Sequence, residues 1–364
     1  MTKPPRIIAL VQMPPPMHGA ATMNERALVA LRKICDVTVL EMRFAKNPRD
    51  IARMRLGKLV MALGLWLKLL LALRRKPDAL YICFAPTGGA FYRDYLYVMT
   101  AKILGIATIL HLHGRGLQTG RGHWLTAFLQ RHAFAGQTAI ILGKALRNEI
   151  DGLQCRSKII ANCLPDTAFM INHDPTISTI TPRLLYLSNL FRSKGITDVL
   201  AACAILKQRN IDFALDIAGA EGDLSTCELS KLIHNLNLSD HCHYHGPVDA
   251  DIRTKLLSNA NLFLFPSRYP NEAQPLVVLE AMAAEVPVVS STIGTLVDIV
   301  RDGETGRICL PGNPEMLANI VSDTLTQPTE THEMARAAKA FCNQHFRADR
   351  FEKELQQLIK EIIS

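Results

Sequence analysis

No run in this sequence is long and apolar enough to cross a bilayer. The best stretch, Leu59 to Leu73 (LVMALGLWLKLLLAL), is fifteen residues broken by Lys68, against about twenty for a spanning helix. No Cys-x-x-Cys pair occurs among the nine cysteines, and an odd, scattered set fits reduced cytoplasmic thiols. The opening MTKPPRIIALVQMPPP runs into prolines where a signal peptide has its apolar core, so none is expected. A Gly-x-Gly-x-x-Gly is missing after the first apolar run, which disfavours dinucleotide binding. Aromatic residues are sparse where they would matter for nucleic acid. The basic stretch Arg43 to Lys76 holds only Phe44 and Trp66, whereas single-strand binders interleave aromatics with cations.

What is present is length, apolar content and a charge asymmetry. The 364 residues, 48% hydrophobic, suffice for two domains. Residues 1–170 carry 24 Lys and Arg against 9 Asp and Glu, net +15. The remainder carries 41 − 24 = 17 against 33 − 9 = 24, net −7. A basic half suits an anionic surface, whether phospholipid, a lipid diphosphate or nucleic acid; a solvated basic face is the plainer alternative. Leu59–Leu73 carries Trp66, and Arg49, Arg53, Arg55, Lys58 and Arg74–Lys76 flank it. It reads equally as a helix lying in a membrane interface and as a buried core helix.

Short apolar strands alternate with helical stretches in both halves, which predicts parallel α/β sheets. The first half reads as strands at Arg6–Gln12, Val37–Glu41, Ala79–Phe84, Ala107–Leu112, Gln137–Leu142 and Lys158–Ala161, with helices at Thr22–Lys33, Ala90–Leu104 and from Leu142 to Gly152. Met170 to Pro182 reads as a linker. The alternation restarts at Arg183–Leu187 and continues through Phe213–Ala218 and His241–His245. His241, His243 and His245 fall on one strand face, a spacing that suggests a metal, but no further ligand is indicated. Asp249, just ahead of a helix from Ile252, reads as its N-cap rather than as half of a metal-binding Asp249-x-Asp251 pair.

The most informative stretch is Phe263 to Leu310. A strand stops at Pro266, and a polar loop carries Glu272, Ala273 and Gln274. A helix follows with Pro275 at its first position, then a strand Val286–Ser290 and a turn at Gly294. Glu280 stands eight residues after Glu272. The free amides of Leu276 and Val277 at the helix start suit a phosphate. Upstream, Ser188 to Gly195 is a strand-to-helix loop with Arg192 and Lys194, cations able to neutralise a diphosphate. Gly19 opens a helix after the first strand. His113, Gly114 and Arg115 stand at a strand's carboxyl end, where parallel sheets bind ligands.

Taken in order, Glu272, Glu280, Ala281-Met282-Ala283, Pro287-Val288-Val289, Gly294 and Asp302-Gly303-Glu304-Thr305-Gly306 resemble the nucleotide-sugar signature of the GT-B retaining glycosyltransferases, family 4. Two departures stand out. Ala273-Gln274-Pro275 replaces a Gly-Phe-Gly-like run, and Ser188-Asn189 replaces Gly-Arg ahead of Lys194-Gly195. The resemblance implies a GT-B fold: two Rossmann-like domains with parallel sheets facing across a cleft. It places an acceptor-binding domain at 1–172 and a nucleotide-sugar domain at 173–345. A last helix, 346–364, returns to the first domain. It further implies donor contacts from Gly19, Asn189, Arg192, Lys194, Gly219, Gly246, Glu272, Gln274, Pro275, Leu276, Val277 and Glu280. Lys194 would stabilise the leaving diphosphate, Glu272 would bind sugar hydroxyls, Glu280 the ribose, and His113 the transferred sugar. No metal or other cofactor is required.

The implied reaction moves a sugar, with retention, from a nucleotide sugar (UDP ahead of GDP) to a glycan or polyprenyl-diphosphate-linked acceptor of bacterial polysaccharide synthesis. The enzyme would be cytoplasmic, peripheral on the inner face of the membrane through residues 43–76, with no nucleic-acid partner. The alternatives are a non-catalytic binder of anionic surfaces on the same fold and a GT-B nucleotide-sugar epimerase.

Overall fold

Arg6–Val11, Ala79–Cys83 and Ala107–His111 are buried almost end to end, as central strands of a parallel sheet covered on both faces must be. The computed structural model describes residues 3–14, 19–44, 56–171 and 181–363. In its first unit, β1 (Arg6–Val11), β2 (Asp36–Glu41), β3 (Ala79–Cys83), β4 (Ala107–His111), β5 (Thr138–Ile141) and β6 (Arg156–Ile159) form one parallel sheet, ordered β2-β1-β3-β4-β5-β6. Its helices are α1 (Gly19–Arg32), α2 (Leu56–Leu73), α3 (Gly88–Ile103), α4 (Leu117–Gly120) and α5 (Trp124–Phe134). The chain steps one way from β1 to β2 and the other way from β2 through β5. Right-handed crossovers therefore put α1 on one face of the sheet and α2, α3 and α5 side by side on the other. The Tyr97 hydroxyl donates to the Ala62 carbonyl at 2.8 Å, tying α3 to α2. Lys102 Nζ donates to the carbonyls of His132 and Ala135 at 2.7 and 2.8 Å, tying it to α5 and the residue after it.

The second unit repeats the architecture. β7 (Arg183–Leu187), β8 (Ala214–Ala218), β9 (Cys242–Tyr244), β10 (Leu262–Phe265), β11 (Val288–Ser290) and β12 (Arg307–Ile308) form a parallel sheet ordered β12-β11-β10-β7-β8-β9. Around it lie α6 (Ile196–Gln208), α7 (Thr226–Asn235), α8 (Ala250–Asn259), α9 (Leu276–Ala283), α10 (Leu296–Ile299), α11 (Pro314–Thr326) and α12 (Pro328–His345). The Asp249 carboxylate accepts from the Ile252 amide at 2.9 Å and so caps α8. The final helix, α13 (Ala348–Ile363), packs on α1, where Gln356 Nε2 donates to the Ala30 carbonyl at 3.0 Å and Lys33 pairs with Glu352.

Three expectations need correction. The first unit ends at Cys163 and takes up the chain again at Ala348, so Leu164–Ile171 belongs to the second unit rather than the first. The reason is local: the Leu164 amide donates to the Phe346 carbonyl at 2.8 Å, and the Arg347 guanidinium lies 4.8 Å over Phe169. Of the expected linker, 172–180 lie outside the described residues. The helix expected up to Gly152 is a 3-10 turn, Lys144–Glu149. And α2 is not wholly a core helix: Leu65, Leu69 and Leu73 are buried, while Val60, Leu63, Leu67 and Leu71 are exposed. No helix among the described residues is long and apolar enough to cross a membrane.

Candidate functional site

The second sheet reverses direction between β7 and β10. From β7 the chain moves outward to β8 and β9, then returns to lay β10, β11 and β12 on the other side. At such a switch point the loops leaving the two strands part company and open a crevice at their carboxyl ends. Those loops are 188–195 and 266–275, which carry Asn189, Arg192, Lys194, Glu272, Gln274 and Pro275.

Lys194 Nζ lies 3.2 Å from Glu272 Oε2, with the two side chains 22% and 10% exposed. The ammonium also sits over the Tyr269 ring, 5.4 Å from its centroid, and Tyr269 stacks on Phe191. The backbone fixes this arrangement. Gly195 has φ +90, and a Cβ there would stand 2.4 Å from the Pro266 carbonyl oxygen. The turn after β7 therefore presses directly on the end of β10, as only glycine allows. From the other side Gly294, at φ +61, approaches so closely that a Cβ would lie 2.4 Å from the Ala273 oxygen and 2.5 Å from that of Glu272. The Thr295 amide donates to the Ala273 carbonyl at 2.7 Å, and Gln274 is buried in the same loop.

Pro275 is the N-cap of α9, with ψ 116, and not its first helical residue. Extended backbone at Pro275 lets the helix begin one residue later, and Leu276 and Val277 become its first two donors with no intrahelical acceptor ahead of them. Glu280 follows one turn on. Its Oε1 accepts from Arg253 Nη1 at 3.0 Å, while its Oε2 is buried without a hydrogen-bond partner among the described residues. Burial pushes the Glu280 carboxyl above its ordinary value, against the pull of Arg253.

Other predicted residues are spent on holding loops. Asn189 Oδ1 accepts from the Ala220 amide at 3.2 Å, Gly219 donates to the Gly246 carbonyl at 2.9 Å, and the Tyr244 hydroxyl donates to the Gly219 carbonyl at 2.8 Å. These bonds lace the loops after β7, β8 and β9. Arg192 is not brought to the Lys194–Glu272 pair. Its amide donates to Asp223 at 2.7 Å and its guanidinium pairs with Glu228 at 3.3 Å. Tyr269 and Arg268 were not singled out from sequence. Arg268 bridges to Asp198 at 2.7 Å, and Asp198 also accepts from the Gly312 amide at 2.8 Å. Of the three histidines, His241 stacks on Phe213, while the rings of His243 and His245 lie 4.3 Å apart and His245 Nε2 is 2.8 Å from Asp216.

In the first unit, Gly19 is the first residue of α1, while residues 15–18 lie outside the described set. His113 follows β4 with its ring 4.0 Å from that of His111. His111 is fully buried and bonded to the Tyr81 hydroxyl, and burial together with His113 holds its pKa well below the ordinary value, so it stays neutral. Arg115 turns to Glu149 at 3.6 Å. Glu149, another residue not singled out from sequence, accepts from the amides of Gly116 and Gln118 at 2.9 and 3.2 Å and so shapes the whole turn. A cavity of about 290 Å³ lies nearby, lined by Thr87, Gly88, Phe91, Tyr92, Thr119 and Thr126.

A cation and a carboxylate on adjoining loops, followed along the chain by a helix N-terminus and a second carboxylate, can hold a phosphate and hydroxyl groups. Comparison with known proteins reaches the second unit by sequence and nearly the whole chain by fold. Residues 173–341 match the family model for glycosyl transferases, group 1. The chain is 35% identical over 156 residues to glycogen synthase of Mycobacterium tuberculosis, covering 43% of this chain and 37% of that protein. The chain thus spans well under half the length of that curated relative. The folds agree over nearly the whole length. Sucrose-phosphate synthase from Thermosynechococcus elongatus matches with TM-score 0.77 and 16% identity, covering 98% of each chain. Anabaena HepE, solved with UDP and glucose, matches with TM-score 0.73 and 18% identity, covering 98% of this chain and 99% of that one. Two six-stranded parallel sheets, each with its helices, and these two structural matches make the fold GT-B.

Proposed function

We propose that this chain transfers a sugar from a nucleotide-sugar donor, UDP-sugar ahead of GDP-sugar, to a glycan or lipid-linked glycan acceptor of bacterial polysaccharide synthesis, with retained configuration. The observation that carries the reading is the Lys194–Glu272 pair in the crevice, flanked by the α9 N-terminus and the unpartnered Glu280 oxygen. In this reading Lys194 leaves Glu272 for the departing diphosphate, assisted by the amides of Leu276 and Val277. Glu272, released, accepts from sugar hydroxyls. Glu280 keeps Arg253 on one oxygen and takes a ribose hydroxyl on the other, which relieves its unpaired burial. His113, at the carboxyl end of β4, serves the transferred sugar. Lysine and helix amides supply the positive charge, so the reading needs no metal. The complex of HepE with UDP and glucose, on the same fold, supports the donor class.

The same reading puts the enzyme in the cytoplasm, on the inner face of the membrane through residues 43–76, of which 45–55 lie outside the described residues. The test is thermal stabilisation by UDP, GDP, ADP and CMP, with and without magnesium, on wild type and Glu280→Ala. A ligand at a hundred times its Kd stabilises by about 2.7 kcal/mol. A UDP shift independent of magnesium and lost in the variant is expected. No shift with any nucleotide would sink the proposal.

A further inference from the structure

The layer of helices over the first sheet turns an apolar side to solvent. On α2, Val60, Leu63, Leu67 and Leu71 recur at a helical period and are 49–72% exposed. Beside them on α3 stand Leu96 and Ile103, the latter 79% exposed, and on α5 Trp124 and Phe128, 76% and 50% exposed. Because α3 is tied to α2 and to the end of α5, the three stripes share one surface. Apolar patches of this kind on a protein surface mark an interaction site.

The charge around the patch selects the partner. Residues 56–148 carry 12 Lys and Arg against 2 Asp and Glu. One of those two acids, Asp94, is buried and bonded to Arg93 at 2.7 Å. Lys68, Arg74, Arg75 and Lys76 on and after α2, and Arg131 on α5, are exposed around the apolar stripes. A second copy of this chain would set like charges against like, whereas an anionic lipid surface offers both an apolar interior and a negative rim.

We propose that α2, α3 and α5 together form the face that docks on anionic phospholipid, with Trp124 and Phe128 seated at the interface. This rests on the membrane contact proposed above for 43–76 and extends it by two helices outside that stretch.

The chain's two tryptophans make the test specific. Trp66 is half-buried and donates to Thr100 Oγ1 at 2.9 Å, while Trp124 stands in solvent. In a Trp66→Phe full-length chain, Trp124 emission should shift to the blue on adding vesicles of equimolar phosphatidylcholine and phosphatidylglycerol. Phosphatidylcholine alone should leave it unmoved, and added salt should weaken the shift. Trp124→Ser with Phe128→Ser should weaken vesicle flotation roughly tenfold with an unchanged melting temperature, and Leu63→Ser with Leu67→Ser should do the same. If wild type floats while Trp124 emission stays fixed, docking runs through α2 alone and the three-helix face is wrong. If wild type does not float even at low salt, both membrane readings fall. A dimer in solution that the Trp124/Phe128 variant converts to monomer would assign the face to a second copy instead. UDP stabilisation, measured in parallel, separates any of these failures from a failure of the donor site.

Discussion

In the second unit the loops bearing Lys194 and Glu272 meet backbone against backbone; in the first, the turn after β4 hangs on side chains reaching in from elsewhere in the sequence. Gly195 and Gly294 close on carbonyls at distances no other residue allows. Glu149, by contrast, reaches from 33 residues away to take the Gly116 amide. The first arrangement sets the closest approach of its loops through main chain, with Asn189 and Asp198 lacing their outer parts, and leaves Lys194 and Glu272 for ligand. The second uses up its polar side chains to make the shape.

The largest test of this contrast is a methyl group. Gly294→Ala puts a Cβ into two carbonyl oxygens at positive φ, and backbone strain plus overpacking should cost on the order of 3–5 kcal/mol. Gly88, at the start of α3, also has positive φ (+68), but nothing lies within 4 Å of its missing Cβ. Gly88→Ala should cost only about 1 kcal/mol. Denaturant unfolding of both variants checks this, and equal costs would mean that the Gly294 turn yields freely. UDP stabilisation should be lost in Gly294→Ala and kept in Gly88→Ala.

The same contrast explains what could be read from sequence. Close main-chain approaches force Gly and Pro into fixed spacings, so the order Glu272, Pro275, Glu280, Gly294 was legible, and with it the strand–loop–helix frame of the second unit. Glu149 left no such trace, since the groups it accepts hydrogen bonds from are backbone amides with no residue preference, and Arg115 lies far from it in sequence. Tyr269 under Lys194 was invisible for a similar reason: a cation over a ring needs two loops already in place. Arg192 misled because spacing put it beside Lys194. Arg192–Lys194 is a 3-10 turn, which rotates about a third of a circle per residue, so two steps turn Arg192 away to Asp223 and Glu228. In α2 the buried and exposed sides are both leucine-rich, so periodicity could not separate core from surface.

A second substitution probes the first unit. Glu149 is 3% exposed and accepts two amides through Oε2. Glu149→Gln keeps the shape but exchanges charge-assisted bonds for neutral ones, at about 1–2 kcal/mol. The loss should appear as reduced stability, with UDP stabilisation intact because the donor loops hold themselves. Loss of the UDP shift in Glu149→Gln would show that the two regions are not independent.

The smallest effect on stability, and the most discriminating, is at Glu280. Burial raises its carboxyl pKa in the folded chain, while the unfolded chain titrates at the ordinary value. At neutral pH the unfolded state therefore holds the charge more comfortably, and the ionised group works against folding. As pH falls through the folded pKa toward the ordinary carboxylate value, that penalty disappears. Glu280→Gln should accordingly melt slightly higher than wild type at neutral pH without nucleotide, with the advantage shrinking as pH drops. Arg253, a third exposed, can rehydrate in the variant. The same substitution should remove the UDP shift at every pH, since the ribose loses its carboxylate. A gain in apo stability together with a loss of nucleotide binding is what a group kept for a ligand rather than for the fold must show. A variant that melts lower at neutral pH would mean that the Arg253 pair outweighs burial and that Glu280 belongs to the scaffold.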